Sequence, residues 1–105
     1  MKHIFLDSSR IIYDNKDINL EYYIIEETEN AELSNSLYYG AEIKMQITYN
    51  SGKTVNEGKR ARMLFSNIKD AEDFARLLLR NNVTPTTLYE IAAEYITDFI
   101  LIETT

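Results

Sequence analysis

The chain has 105 residues, no cysteine and a formal net charge of −6. That length fits one domain, residues 1–105, with a single core, and the missing cysteines exclude disulfide scaffolds and cysteine zinc sites. An acidic surface repels nucleic-acid phosphates, so direct nucleic-acid binding is not expected.

Eight tyrosines stand against no tryptophan, a choice that suits strands, half-buried faces and interfaces. At the start of the chain the apolar run covers only residues 4–6, too short for a secretory signal. The most apolar later stretch, "LYEIAAEYITDFILIE", is broken by Glu94 and Asp98, so no membrane span is expected. These features suit a cytoplasmic protein.

In chain order, residues 2–6 and 11–13 read as short strands, with "DSSR" and "DNKD" as turns around them. Ile18, Leu20, Tyr22 and Ile24 then alternate on one face of a half-buried strand. "EETENAELSN" is polar and acidic and reads as a loop. From 37 to 49, Leu37, Tyr39, Ala41, Ile43, Met45, Ile47 and Tyr49 fall on one face without a break. Period 2 accounts for that spacing and period 3.6 does not.

"NSGKT", residues 50–54, carries the last three letters of a phosphate-binding loop. Such a loop needs an earlier glycine and must lead into a helix. Ile47 stands where that glycine would be, and "VNEGKRARMLF" lacks helical spacing. A hairpin is the better reading. A two-residue loop would set the apolar face of 37–49 against polar residues. A three-residue loop, Asn50-Ser51-Gly52, aligns Ile47 with Val55, Ala41 with Ala61, Tyr39 with Met63 and Leu37 with Phe65. On the other face it sets Thr48 by Thr54 and Glu42 by Arg60. Because a one-residue slip reverses every face, the second register is predicted, with Gly52 left-handed. Glu57 and Lys59 then point toward the apolar face, which predicts a bulge or twist around Gly58, or a sheet end that the helices leave uncovered.

A first helix is predicted from an Asn67 N-cap, with Ala71, Phe74, Ala75, Leu78 and Leu79 as its buried stripe. A second starts at "VTPTTL", with Thr84 as N-cap, Pro85 in the first turn, and Val83 and Leu88 as a hydrophobic staple. Leu88, Ile91, Ala92, Tyr95, Ile96, Phe99 and Ile100 form its stripe. The expected fold is α+β: an antiparallel sheet of three to five strands with two C-terminal helices packed on one face.

Three surfaces are candidates. Tyr23, Ile25, Tyr38, Leu77, Tyr89 and Leu101 lie off the predicted core stripes; they mark an interface, unless the N-terminal segment folds across the outer sheet face and covers them. Glu26, Glu27, Glu29 and Glu32 form an acidic cluster without calcium-loop spacing. Arg60 and Arg62 belong to the one basic cluster, "KRAR", and Arg60 has Glu42 as a partner. His3 is the sole histidine and completes no recognisable triad or metal site, so it reads as an ordinary N-terminal residue. No catalytic, cofactor or metal residue stands out, and an enzyme is not expected.

"YYGAEIKMQ" and "NNVTPTTLYEIAAEYI" resemble a family of small uncharacterised proteins from clostridia and related Firmicutes, over residues 20–97. The resemblance implies a cytosolic bacterial protein and carries no activity, cofactor or catalytic residue. The expected role is a non-enzymatic protein–protein interaction or regulatory protein, with a protein partner or a second copy of itself. The alternatives are an acidic phage-type inhibitor of a nucleic-acid enzyme such as a CRISPR nuclease, and a small-molecule binder with a pocket between sheet and helices.

Overall fold

A computed structural model of the chain describes residues 1–31 and 34–104, with side chains for 1–29 and 36–98. Four strands, β1 (Lys2–Tyr13), β2 (Lys16–Ala31), β3 (Ser34–Tyr49) and β4 (Thr54–Phe65), precede helix α1 (Ile68–Arg80). A 3-10 turn (Pro85–Thr87) then leads into helix α2 (Leu88–Thr104). The strands form one antiparallel meander in the order β1-β2-β3-β4. The helices pack against the same face of that sheet, so the α+β expectation holds. Sixteen residues at about 3.3 Å each make β2 and β3 nearly as long as the molecule, whose longest dimension is 54 Å.

The core face collects Leu20, Tyr22 and Ile24 from β2 with Tyr39, Ala41, Ile43 and Met45 from β3. Against them α1 sets Ala71, Phe74, Ala75 and Leu78, all fully buried. Burying a side chain such as Phe74 or Leu78 contributes about 2 kcal/mol. The Tyr22 hydroxyl donates to the Val83 carbonyl at 2.9 Å and so ties the sheet to the turn before α2. Rings of Phe74 and Tyr95, 4.8 Å apart, join α1 to α2. No helix among the described residues is long and apolar enough to cross a membrane.

Both helix starts were readable. Asn67 caps α1, its side chain accepting from the Lys69 N–H at 2.7 Å. Thr84 is extended and Pro85 follows it in the 3-10 turn, but the Thr84 side chain makes no capping bond. Val83 and Leu88 are both buried in the core cluster.

The β3–β4 turn is the predicted one. Gly52 has φ +88°, its N–H donates to the Tyr49 carbonyl at 2.9 Å, and the Tyr49 N–H donates to the Lys53 carbonyl at 2.9 Å. Ile47 pairs with Val55, Thr48 with Thr54, Glu42 with Arg60 and Ala41 with Ala61. The register runs unbroken through Gly58, so no bulge lies there. The bulge lies further on: Tyr39 pairs with Phe65 instead of Met63. Arg62, Met63 and Leu64 together oppose Gly40, with Met63 left-handed at φ +54°. As a result Leu37 does not meet Phe65; it pairs with Thr28 and is exposed. Glu57 and Lys59, register partners of the core residues Met45 and Ile43, are nonetheless exposed.

Two other expectations are corrected. "DSSR" is no turn: β1 runs continuously from 2 to 13, with a register shift between Phe5 and Asp7. The turn is at Asp14-Asn15, both left-handed, which is the conformation a two-residue hairpin requires. "EETENAELSN" is no simple loop either, because β2 and β3 continue pairing as far as Ala31 and Ser34. The N-terminal segment does not fold across the outer face; it extends the sheet at its edge.

Candidate functional site

The face of the sheet away from α1 is polar by construction. Asn19, Glu21, Tyr23, Ile25 and Glu27 of β2 pair there with Gln46, Lys44, Glu42, Gly40 and Tyr38 of β3. Period 2 sends these residues outward whenever Leu20, Tyr22 and Ile24 turn inward. An open cleft of about 970 Å³ lies over this face, with Glu21, Lys44, Gln46 and Arg60 among its lining.

Glu42 is at the centre and only 3 % exposed. Arg60 Nε donates to its Oε2 at 2.5 Å, and His3 Nδ1 lies 2.9 Å from its Oε1. A carboxylate can only accept, so Nδ1 carries the hydrogen of that bond. Burial alone pushes the Glu42 carboxyl up, but the bonds from Arg60 and His3 outweigh it and hold the group below its ordinary value. Both oxygens are thus engaged, and the carboxylate anchors β1, β3 and β4 to one another.

A second bridge runs parallel. Arg62 of β4 reaches over β3 to Glu27 of β2, Nε to Oε1 at 2.8 Å and Nη2 to Oε2 at 2.5 Å. The Arg62 guanidinium holds the Glu27 carboxyl below its ordinary value. Ile25 has His3 and Gly40 as its register partners and lies between the two bridges, fully buried. Nearby, the Tyr23 ring meets Phe5 at 5.5 Å and His3 at 6.5 Å, and Lys44 Nζ stands 5.0 Å over it.

A different opening lies beside α2. Leu64, Ala92, Ala93 and Ile96 line a groove of about 390 Å³ between β4 and α2, with Ala61 on its floor and Tyr89 at its mouth. Alanine at 61, 92 and 93 leaves the space that larger side chains would fill. Arg60 and Arg62 border the groove with their stems while their heads turn to the outer face. Lys59 Nζ stands 5.0 Å over the Tyr89 ring. Tyr89 is 56 % exposed and Met63 40 %.

The predicted aromatic and aliphatic surface therefore does not form one patch. Ile25 is buried, Tyr23 and Tyr38 are half-buried on the outer face, and Leu77 is half-buried against the core. Only Tyr89 is freely exposed, and the Leu101 side chain lies outside the described residues. The acidic residues also separate. Glu26 pairs beside Tyr39 on the core-side face, Glu27 is bound by Arg62 on the other, and Glu29 is exposed; Glu32 lies outside the described residues. Arg60 and Arg62 each carry a carboxylate partner. Sequence reasoning missed His3, which is no ordinary N-terminal residue, because its partner is 39 positions away. It also missed the groove, whose one sequence signal is the adjacent pair Ala92-Ala93.

No curated protein and no solved structure matches the chain. One family model matches residues 1–98, which takes in the sheet, α1 and most of α2. The chain belongs to that family, DUF6514, a family of unknown function.

Proposed function

We propose that this chain is a small non-enzymatic interaction protein of the cytoplasm, with a regulatory role exerted by holding a protein partner in the β4–α2 groove. The groove itself carries the reading: an open apolar channel with an exposed tyrosine at its mouth and the chain's basic cluster along its rim. Tyrosine and arginine beside a small apolar pocket are the residues that most often dominate binding at protein interfaces. The complementary partner is a segment with aliphatic side chains for the groove and a carboxylate for Lys59, which stands beside Tyr89 at its mouth. A small molecule bound between sheet and helices would have to use this same β4–α2 groove, since the side chains between sheet and α1 are packed against one another. The inhibitor reading also has less support, because Arg62 neutralises Glu27 in the cluster it relies on.

Ala93 is exposed and lines the groove, so Ala93→Glu introduces bulk and the wrong charge without touching the core. Tagged wild type and variant are compared by affinity capture from lysate of the source cells. A protein retained by the wild type and lost by the variant, at equal melting temperature, is the expected result. Equal retention by both overturns the assignment to this groove.

A further inference from the structure

We infer that the partner held in the β4–α2 groove is an extended segment that adds a fifth strand to the sheet along the free edge of β4. The inference rests on the groove assignment above and names the form its occupant takes. β4 ends the order β1-β2-β3-β4, so one side of its backbone has no strand neighbour among the described residues. The phase of the ladder shows which groups face that side. The Tyr49 N–H donates to the Lys53 carbonyl, and bonded pairs recur at every second residue of an antiparallel ladder. Val55, Glu57, Lys59 and Ala61 therefore bond to β3, while the N–H and C=O groups of Asn56, Gly58 and Arg60 face outward. The outer-face cleft reaches round this edge, since Glu57 and Lys59 of the core side line it together with Gly58 and Arg60.

The placement of α2 selects a strand as the occupant. α1 touches all four strands, most closely β2 and β3, whereas α2 rests chiefly on β4. Strands are spaced about 4.8 Å apart and packed helices about 8–10 Å apart. Measured from the middle of the sheet, where α1 sits, β4 lies about 7 Å out and a fifth strand would lie about 12 Å out. The axis of α2, about 8–10 Å out, falls between the two, so α2 overhangs the edge of the sheet. The groove is the space beneath that overhang, with Ala61 and Leu64 on its β4 side and Ala92, Ala93 and Ile96 on its α2 side. At a fifth-strand position every second side chain turns into this space, and the others turn to the outer face. Open backbone beside a groove that admits alternate side chains is the arrangement that strand addition uses. A helix laid there would fill the groove but leave Gly58 and Arg60 unbonded. Lys59 lies on the core side with Nζ over Tyr89 and makes no ion pair with a described residue. Its charge calls for a carboxylate in phase with the aliphatic side chains.

The probe is a library of short random peptides displayed on phage, selected on the full-length wild type and counter-selected on Ala93→Glu. Enriched sequences should carry aliphatic residues at every second position, with an aspartate or glutamate in the same phase. A synthetic peptide of the enriched sequence, added to isotope-labelled wild type, should slow amide hydrogen exchange at Gly58 and Arg60 by about tenfold or more. Gly58→Pro deletes one outward N–H and leaves the β3 ladder whole. It should keep the far-ultraviolet spectrum and weaken the peptide about tenfold. Peptides whose aliphatic residues recur at three and four positions overturn the strand and leave the groove assignment standing. So do peptides that leave exchange at Gly58 and Arg60 unchanged, or that bind Gly58→Pro as tightly as wild type. Slow exchange at these two amides in the protein alone, deepening with its concentration, assigns the edge to a second copy and also overturns the inference. A selection that yields no peptide preferring wild type to Ala93→Glu overturns both the strand and the groove.

Discussion

Gly40 and the carbonyl oxygen of Ala61 approach so closely that a Cβ on Gly40 would collide with that oxygen. The contact arises where β4 bulges at Met63 and its backbone swings toward β3. Because the obstacle is backbone, no rotamer change relieves it. Gly40→Ala should therefore destabilise the protein by about 3 kcal/mol, seen as a lower urea midpoint with an unchanged slope. A shift below about 0.5 kcal/mol would mean that the bulge moves freely.

Glu42 predicts an acid limb in stability. Its folded-state carboxyl lies below the ordinary 4.5, so in that range the unfolded chain binds more protons. The stabilisation is complete above about pH 4.5 and is lost as pH falls through the depressed value. Glu42→Gln should flatten this limb in melting curves from pH 6 down to 3. At pH 7, with Arg60 half exposed, the loss should be about 1–2 kcal/mol. A variant with the wild-type acid profile would contradict the anchoring role.

Tyr22 predicts the opposite slope at high pH. Burial pushes its hydroxyl from 10.0 up to about 12. The protonated form is favoured by folding, so its contribution is present below pH 10 and lost as pH rises from about 10 to 12. Tyr22→Phe should lower stability at pH 7 by about 1 kcal/mol, through the lost bond to the Val83 carbonyl, and should reduce the alkaline slope. Identical slopes for wild type and variant would refute it.

At the β3–β4 turn, Gly52 has φ +88° and open space where a Cβ would go, so its requirement is conformational alone. Gly52→Ala should cost about 1 kcal/mol, and Gly52→Asn less, because asparagine tolerates the left-handed region. Equal melting temperatures for all three would argue against this turn.

The alternation of β3, the turn at Gly52 and the Asn67 cap were legible because each follows from local rules of spacing and backbone freedom. The bulge at Met63 was not, since methionine gives no signal for a left-handed backbone and its cause lies across the sheet. Polar "DSSR" reads as a turn in one dimension, yet Ser8 and Arg10 are the outer face of an edge strand. Ile25 reads as surplus apolar surface until His3 and Arg62 are seen to bridge on either side of it. Among the candidate site residues, local patterning placed the Glu42–Arg60 pair correctly. It had no means of finding a groove whose two walls are 30 residues apart.

The most direct test of the proposed function is photo-crosslinking in the source cells with a benzophenone amino acid at Tyr89. Tyr89 is 56 % exposed, so the larger benzophenone side chain has room at the groove mouth, and the same group at Lys53, on the distant turn, serves as control. The account predicts a discrete adduct from position 89 and none from 53, abolished by Ala93→Glu. No adduct at 89, or the same adducts from both positions, would contradict a partner held in the β4–α2 groove.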